Sequence, residues 1–481
     1  MQQLRKGLLG GLLVLLSLGA AVNLNAKTWK VYPTMTRAAI QSVIDQAKDK
    51  DQIRFYAGTY DFSATPFSTE TLIVGALTVT DKSLSFVANK GTILVGTESI
   101  LDPTSGIGTS GILAFVVKNS EVKDISFKGF TFQKFLMAIS SGIQTSTDPD
   151  TGGAVMALSC RDFTVQNCTF QDIARTAITA MGVKRNIKIL NNEITWSLRM
   201  GIFIDWYWVG DHLGSQPKSG KITIENNDVH ARLECVYINR GYNMSIKNNS
   251  FDADGSDTES TGLAIYGGAN AAGIVNNDFT NLFYGLDLNG EKVAVGESVY
   301  SYPVTRCNIT NNMFIAENPI FLGNEPCYAN KITNNTIALG GPYEWACGIL
   351  VYESYNDTFI NNKISGYGPI AIAVEGHDPG SGGSKAYSHN EYFKGNSVKN
   401  FTASWCDYYM NSLTKDNTAI GTCSANAIYN ATYVDEGVNN QFKCIFPAGS
   451  PAPLSMNGAP LSMNGFGLSK RNRSDRKPLT N

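Results

Sequence analysis

The residues of this sequence with the means to do chemistry are carboxylates, amides, arginines and aromatic rings that recur at matched places after short apolar segments. Asp205, Asn239, Asp287, Asn289 and Glu375 stand at the ends of such segments, and Arg240 follows Asn239 directly. Trp206, Trp208, Tyr237, Tyr266 and Tyr352 place rings among them. Paired carboxylates hydrolyse glycosidic bonds, as acid and base or as acid and nucleophile. Alternatively, an Arg or Lys removes the proton α to a uronate carboxylate while Arg or Ca2+ neutralises that carboxylate, and β-elimination follows. Rings stack on the C–H faces of sugars, and amides and guanidinium groups bind hydroxyls and carboxylates. The expected partner is therefore an extracellular polysaccharide. The expected catalytic set is Asp205, Arg240, Asp287 and Glu375, with Asp205 and Asp287 as acid/base groups or Ca2+ ligands and Arg240 as base or partner of a substrate carboxylate. Trp206, Trp208, Tyr237, Asn239, Tyr266, Asn289 and Tyr352 are the expected substrate contacts. The competing expectation is a non-catalytic cell-surface, adhesion or glycan-binding module.

A repeat positions these residues. Alternating apolar residues lead into Asn-Asn, one further residue and another apolar one, as in Ile187 to Ile194, Ile222 to Val229, Met244 to Phe251, Cys307 to Phe314 and Asn330 to Ile337. The second Asn is read at 167, 192, 227, 249, 277, 312, 335, 362 and 396. Between these copies runs a small residue followed by apolar, any, apolar: Gly201 to Ile204, Cys235 to Ile238, Gly262 to Ile265, Gly285 to Leu288 and Gly348 to Val351. Short period-2 segments with no helical pattern between them describe the coils of a β-solenoid, each burying its inward side chains against its neighbours. Asn suits the turns because it tolerates left-handed backbone, and stacked amides can bond from coil to coil.

Three intervals are longer than the rest, and their extra residues enter at the same point of the coil: Trp206 to Gly220, Glu291 to Arg306 and Gly376 to Glu391. They are expected to rim a groove over the strands that carry the outward Asp, Asn and Tyr residues.

The repeat, with Ala38 to Ala47 and Ile53 to Tyr60 before it, resembles the right-handed parallel β-helix proteins, the pectate-lyase-like superfold, over about residues 31–400. That resemblance implies an all-β right-handed parallel β-helix of ten or more coils, opened by an amphipathic capping helix and a Gly-Thr-Tyr turn. Ile202 to Trp206 is similar to a pectate lyase stretch in which Ile-Asp-His follows an aromatic, with Trp206 in place of His. Tyr284 to Asp287 resembles the start of an alginate epimerase Asp-Pro-His motif, but Leu288 and Asn289 follow. Gly376-His377-Asp378 is similar to the Gly-His-Gly of polygalacturonases, whose other motifs are missing.

The 481 residues, 43% hydrophobic and 17% charged, exclude a disordered chain, and a net charge of −2 gives no footprint for nucleic acid. Residues 1–26 have a basic start, an apolar run and a small-residue end, the layout of a secretory signal, so the chain is expected to be secreted, periplasmic or on the cell surface. No later stretch approaches the length of a membrane span. Residues 27–400 are read as the helix with its N-terminal cap, 401–446 as a C-terminal cap and 447–481 as a low-complexity basic tail. The tail repeats Ala452 to Gly458 as Ala459 to Gly465. The nine Cys lack a framework spacing. One disulfide is expected among Cys406, Cys423 and Cys444, and most other thiols are expected to be small buried residues. His212 and His377, each beside an Asp, are read as solvated loop residues.

Overall fold

A computed structural model describes residues 26–445 except 66–74, 98–99, 102–107, 111, 121, 136–154, 159, 206–219, 254–259, 296–297, 324–326, 341–345, 377–386, 411, 423–430 and 436. The signal-like segment and the basic tail lie outside the described residues.

The chain winds as a parallel coil with three long faces. Face 1 carries the strands before Asn-Asn, for example Asn186–Leu190, Lys221–Glu225 and Met244–Lys247, stacked in parallel with Ile187 beside Ile222 and Ile222 beside Met244. Face 2 carries the strands after it, such as Asp228–Ala231 and Ser250–Ala253. Face 3 carries the segments led by small residues: Met200–Asp205, Glu234–Tyr242, Thr261–Asn270 and the second half of Asp278–Asn289. Alternate side chains enter one continuous core. Each inward position stacks on its equivalent, so Phe251, Phe279 and Phe314 lie ring on ring at 5.1 and 4.6 Å between centroids.

The corner between faces 1 and 2 explains the Asn pair. The first Asn, at 191, 226, 248, 276, 311, 334 and 361, has φ between 52° and 57°, the left-handed conformation that turns the chain. The second Asn is buried and forms a ladder. The backbone N–H of Asn227 donates to Oδ1 of Asn249 at 2.9 Å and that of Asn249 to Asn277 at 3.0 Å. Each Nδ2 donates to the next Oδ1 and to a backbone carbonyl, so a polar corner is satisfied inside an apolar rod. One position differs from the sequence reading. Asn167 (φ 54°) is the turning residue, not a rung, and Cys168 takes the rung, its N–H donating to Oδ1 of Asn192.

At the N-terminal end, helix α1 (Arg37–Gln46) starts on Thr36, whose hydroxyl accepts from the Ala39 N–H. Ile40 and Ile44 enter the core. Gln41 accepts from the Thr78 N–H and donates to the Thr78 carbonyl, doing the work of a missing neighbour strand at the first strand of face 3. The Gly-Thr-Tyr segment, expected as a turn, opens the strand Gly58–Asp61, paired in parallel with Thr92–Val95; Gly58 has φ 134°, and a Cβ there would meet Pro33 at 2.4 Å.

Residue 400 falls inside the strand Tyr392–Met410. Below it, Thr418–Thr422 and Gln441–Ile445 continue face 1, and Ala431–Asp435 continues face 3, all in parallel, so these strands extend the same stack. Cys160, Cys168, Cys235, Cys307, Cys327 and Cys347 are buried free thiols, as expected for small core residues. Cys423 lies outside the described residues, and so do the side chains of Cys406 and Cys444, where the disulfide was expected. No helix among the described residues is long and apolar enough to cross a membrane.

Candidate functional site on the outer side of face 3

The alternation that sends Ile202, Ile204, Ile238, Ile265 and Leu288 inward turns their neighbours outward on face 3. Two rows result. Phe203 pairs in register with Tyr237, Tyr237 with Ala264, Ala264 with Asp287 and Asp287 with Phe321. The second row runs Asp205, Asn239, Tyr266, with Asn289 beside Gly323 further on and Tyr352 beside Glu375. One coil advances about 4.8 Å. Asp205 and Asp287 lie on strands three coils apart, so about 14 Å separates their backbones. Glu375 is six coils from Asp205.

The expected site residues therefore fall into two groups, with Asp205 beside the first, in register with Asn239. The first gathers Tyr237, Asn239, Arg240, Tyr266, Asp287 and Asn289. Tyr266 donates its phenolic hydrogen bond to Oδ2 of Asp287, and Asn289 donates from Nδ2 to Oδ1 of the same carboxylate. The second group is Tyr352 with Glu375. Burial first, then the neighbouring Glu353 and Glu375, push the Tyr352 phenol well above its ordinary pKa. The Phe321 ring lies over Gly323 between the groups, 2.8 Å from where a Cβ of Gly323 would stand.

The aromatic residues behave differently from the stacking platforms that the sequence suggests. Tyr237 and Tyr266 stack on each other, with centroids 5.3 Å apart and planes 23° apart, and Phe203 packs on Tyr237 at 5.6 Å. One face of the Tyr237 ring and one face of the Tyr266 ring are thus taken by each other, and the Tyr266 hydroxyl is taken by Asp287. Phe203 also closes an apolar cluster on the outer side of face 3 with Leu113, Val116, Met181 and Met200. Although their strand positions point outward, Asp205 and Asp287 are 1% and 5% exposed.

Arg240 takes a role that only the fold reveals. It has φ 62° and is buried. Its guanidinium lies 3.9 Å from the centre of the Tyr302 ring and 3.5 Å from Oε2 of Glu291. Glu291 and Tyr302 are cross-strand partners at the base of an antiparallel hairpin, Glu291–Val295 with Ser298–Tyr302. This hairpin is part of the second expected rim loop, and Arg240 grips both of its strands. Gly267 (φ 67°) and Gly268 (φ 95°) make room beneath it: a Cβ at 267 would meet Asn239, Arg240 and Glu291, and one at 268 would meet Tyr302. Glu291 and Tyr302 escaped the sequence reading. The consecutive glycines after Tyr266 were the available signal.

Trp206, Trp208, His212 and His377 lie outside the described residues. Among the described residues no three His, Cys, Asp or Glu side chains gather as a metal site. Both oxygens of Asp287 already accept hydrogen bonds and Asp205 is three coils away, so these residues do not assemble the oxygen cage that Ca2+ needs.

Residues 110–295 match the family model described as the right handed beta helix region. The chain is a right-handed parallel β-helix. Among solved structures the β-helix is similar to the A-module of the mannuronan C-5 epimerase AlgE6 of Azotobacter vinelandii (12% identity, TM-score 0.39, covering 85% of this chain and 95% of that one). It is similar also to PfbA, a surface adhesin of Streptococcus pneumoniae (12%, TM-score 0.34, 90% and 95%), and to a PL6 alginate lyase in complex with a trisaccharide (12%, TM-score 0.38, 87% and 85%). At such identities and TM-scores these likenesses say nothing about activity. No curated protein sequence matches the chain.

Proposed function

We propose that this β-helix is an exported protein that binds an extracellular polysaccharide along the outer side of face 3 and cleaves it. The observation that carries this reading is the Tyr266–Asp287–Asn289 cluster, a phenol and an amide converging on one carboxylate in a row walled by the Glu291–Tyr302 hairpin. Of the two reactions, β-elimination fits better. Hydrolysis needs two carboxyl groups roughly 5 to 9.5 Å apart, whereas Asp205 and Asp287 stand on strands three coils apart, about 14 Å between backbones. In an elimination the Tyr266–Asp287 pair accepts the proton α to the uronate carboxylate, the bond to the leaving oxygen breaks, and that oxygen takes up a proton. Arg240 holds the hairpin wall.

One observation favours the second reading, a non-catalytic glycan-binding module: Asp205 and Asp287 are buried, as in a face built for shape. Incubation of the purified chain with a panel of polysaccharides separates the two. Rising absorbance of unsaturated uronates supports elimination, and new reducing ends without it mean hydrolysis. Retained polysaccharide with neither product means a binding module.

A further inference from the structure

The corner between faces 3 and 1 carries a second ladder, made of Cys307, Asn330, Asp357, Glu391, Asn417 and Asn440. The backbone N–H of each donates to a side-chain oxygen of the next, at 2.7 to 3.0 Å. Two consecutive rungs are carboxyl groups where the first ladder uses amides, and both are buried, Asp357 at 0% and Glu391 at 1% exposure. Asp357 is well served: Oδ1 accepts from the N–H and Nδ2 of Asn330, and Oδ2 from the Ser354 hydroxyl. Glu391 Oε2 accepts from the Asp357 N–H, but its Oε1 has no hydrogen-bond partner among the described residues, and neither has Nδ2 of the next rung, Asn417. In the amide ladder Nδ2–H links each side chain to the next. An ionised carboxylate has no hydrogen to give, whereas a protonated one does.

We propose that Asp357 and Glu391 form a proton-dependent lock, in which a proton held by the pair ties the coils from Ser388 onward to the rod and its loss loosens them. The groups facing the pair are uncharged at neutral pH: Asn330 and Ser354 on the near side, the Tyr355 phenol, the Cys307 and Cys327 thiols from preceding coils and Asn417 from the following one. The charged groups of that corner, Lys415, Asp416 and the half-buried His389, lie toward its outer surface. Burial pushes the Asp357 carboxyl up to about 7 and, with Asp357 as neighbour, holds Glu391 well above the ordinary carboxylate range. The folded rod thus binds protons that the unfolded chain releases. The pair's contribution to stability is full at acid pH and falls as the pH climbs from about 4 through about 7. Two adjacent buried anions without a cation would carry a heavy desolvation cost, and the corner meets it by neutralisation or by opening.

Amide hydrogen exchange on the intact chain at about pH 5 and about pH 9, corrected for the intrinsic pH dependence of exchange, tests the lock. The expected result is a loss of protection of about tenfold or more over residues 388–422 at the higher pH, with residues 220–253 unchanged. Glu391→Gln, which supplies an amide N–H at every pH, is expected to abolish that difference. Asp357→Asn is the second variant should Glu391→Gln fail to fold. Equal change in the two segments of the unsubstituted chain overturns the proposal, and so does a full pH response in a folded variant.

Discussion

The phenol of Tyr266 donates a hydrogen bond to Oδ2 of Asp287, one coil further along face 3, while Asn289 holds the other oxygen of that carboxylate. The link crosses a parallel strand pair rather than following the chain, so the stacking of coils sets its geometry. Tyr266→Phe removes the hydroxyl and little else, and Asp287→Asn keeps the shape while removing the charge. If the chain eliminates across a uronate, each is expected to lower the initial rate of absorbance rise by about a hundredfold or more. Stability should move by only about 1 kcal/mol for Tyr266→Phe, seen as a small shift in thermal midpoint. A rate unchanged in both variants removes the pair from the reaction.

The grip of Arg240 on the hairpin base predicts an order of effects. Glu291 is half-exposed, so Glu291→Gln should cost no more than about 1 kcal/mol in urea unfolding. Tyr302 is buried and lies against the guanidinium, so Tyr302→Ala should cost at least about 2 kcal/mol and speed proteolytic cleavage within 291–302. The reverse order would mean that the ion pair, rather than the ring, holds the hairpin.

These two relationships show where the sequence stops being legible. Period-2 alternation needs only local sterics and a core, and it correctly turned Asp205, Tyr237 and Asp287 to the outer side of face 3. The Asn-Asn turns were legible for the same reason, since left-handed backbone and a buried rung are demands on single residues. The Arg240–Glu291 contact spans 51 residues and depends on how the hairpin folds back, which no local pattern encodes. The coils beyond residue 400 were hidden because their corner pairs read Asp416-Asn417 and Asn439-Asn440 and sit at the other corner, where Asp357 and Glu391 also replace amides. A ladder tolerates any side chain with an acceptor at the right height, so its members need not look alike.

The six buried thiols give a prediction about reactivity. Burial pushes Cys160, Cys168 and Cys307 up to about 12, and Cys235, Cys327 and Cys347 are raised by the same cause. The thiolate is the nucleophile, so at about pH 8 these residues should resist iodoacetamide in the folded chain and react once it is unfolded in guanidinium. Peptide mapping by mass spectrometry reads each site. Fast labelling of Cys307 or Cys327 alone would show that their coils open locally.

The two asparagines of one turn should respond in opposite ways. Asn276 has φ 55° and its side chain lies on the surface, so Asn276→Gly is expected to leave stability within about 0.5 kcal/mol, while Asn276→Ala should cost about 1 to 2 kcal/mol, because Ala keeps the Cβ in left-handed backbone but loses the amide that bonds Asn248 there. Asn277 is fully buried. Its Oδ1 accepts from the N–H and Nδ2 of Asn249, and its Nδ2 donates to the Ile246 carbonyl and to Oδ1 of Asn312. Asn277→Ala strands partners on both neighbouring coils, each worth about 1 to 3 kcal/mol when buried and unmade, so a loss of several kcal/mol is expected. Asn277→Asp tests charge against shape. It keeps the acceptor but gives Asn312 a neighbouring buried carboxyl, and should therefore be tolerated better at acid than at neutral pH, as measured by denaturant midpoints. Equal midpoints for Asn276→Ala and Asn277→Ala would show that the turn geometry, not the ladder, holds the coils in register.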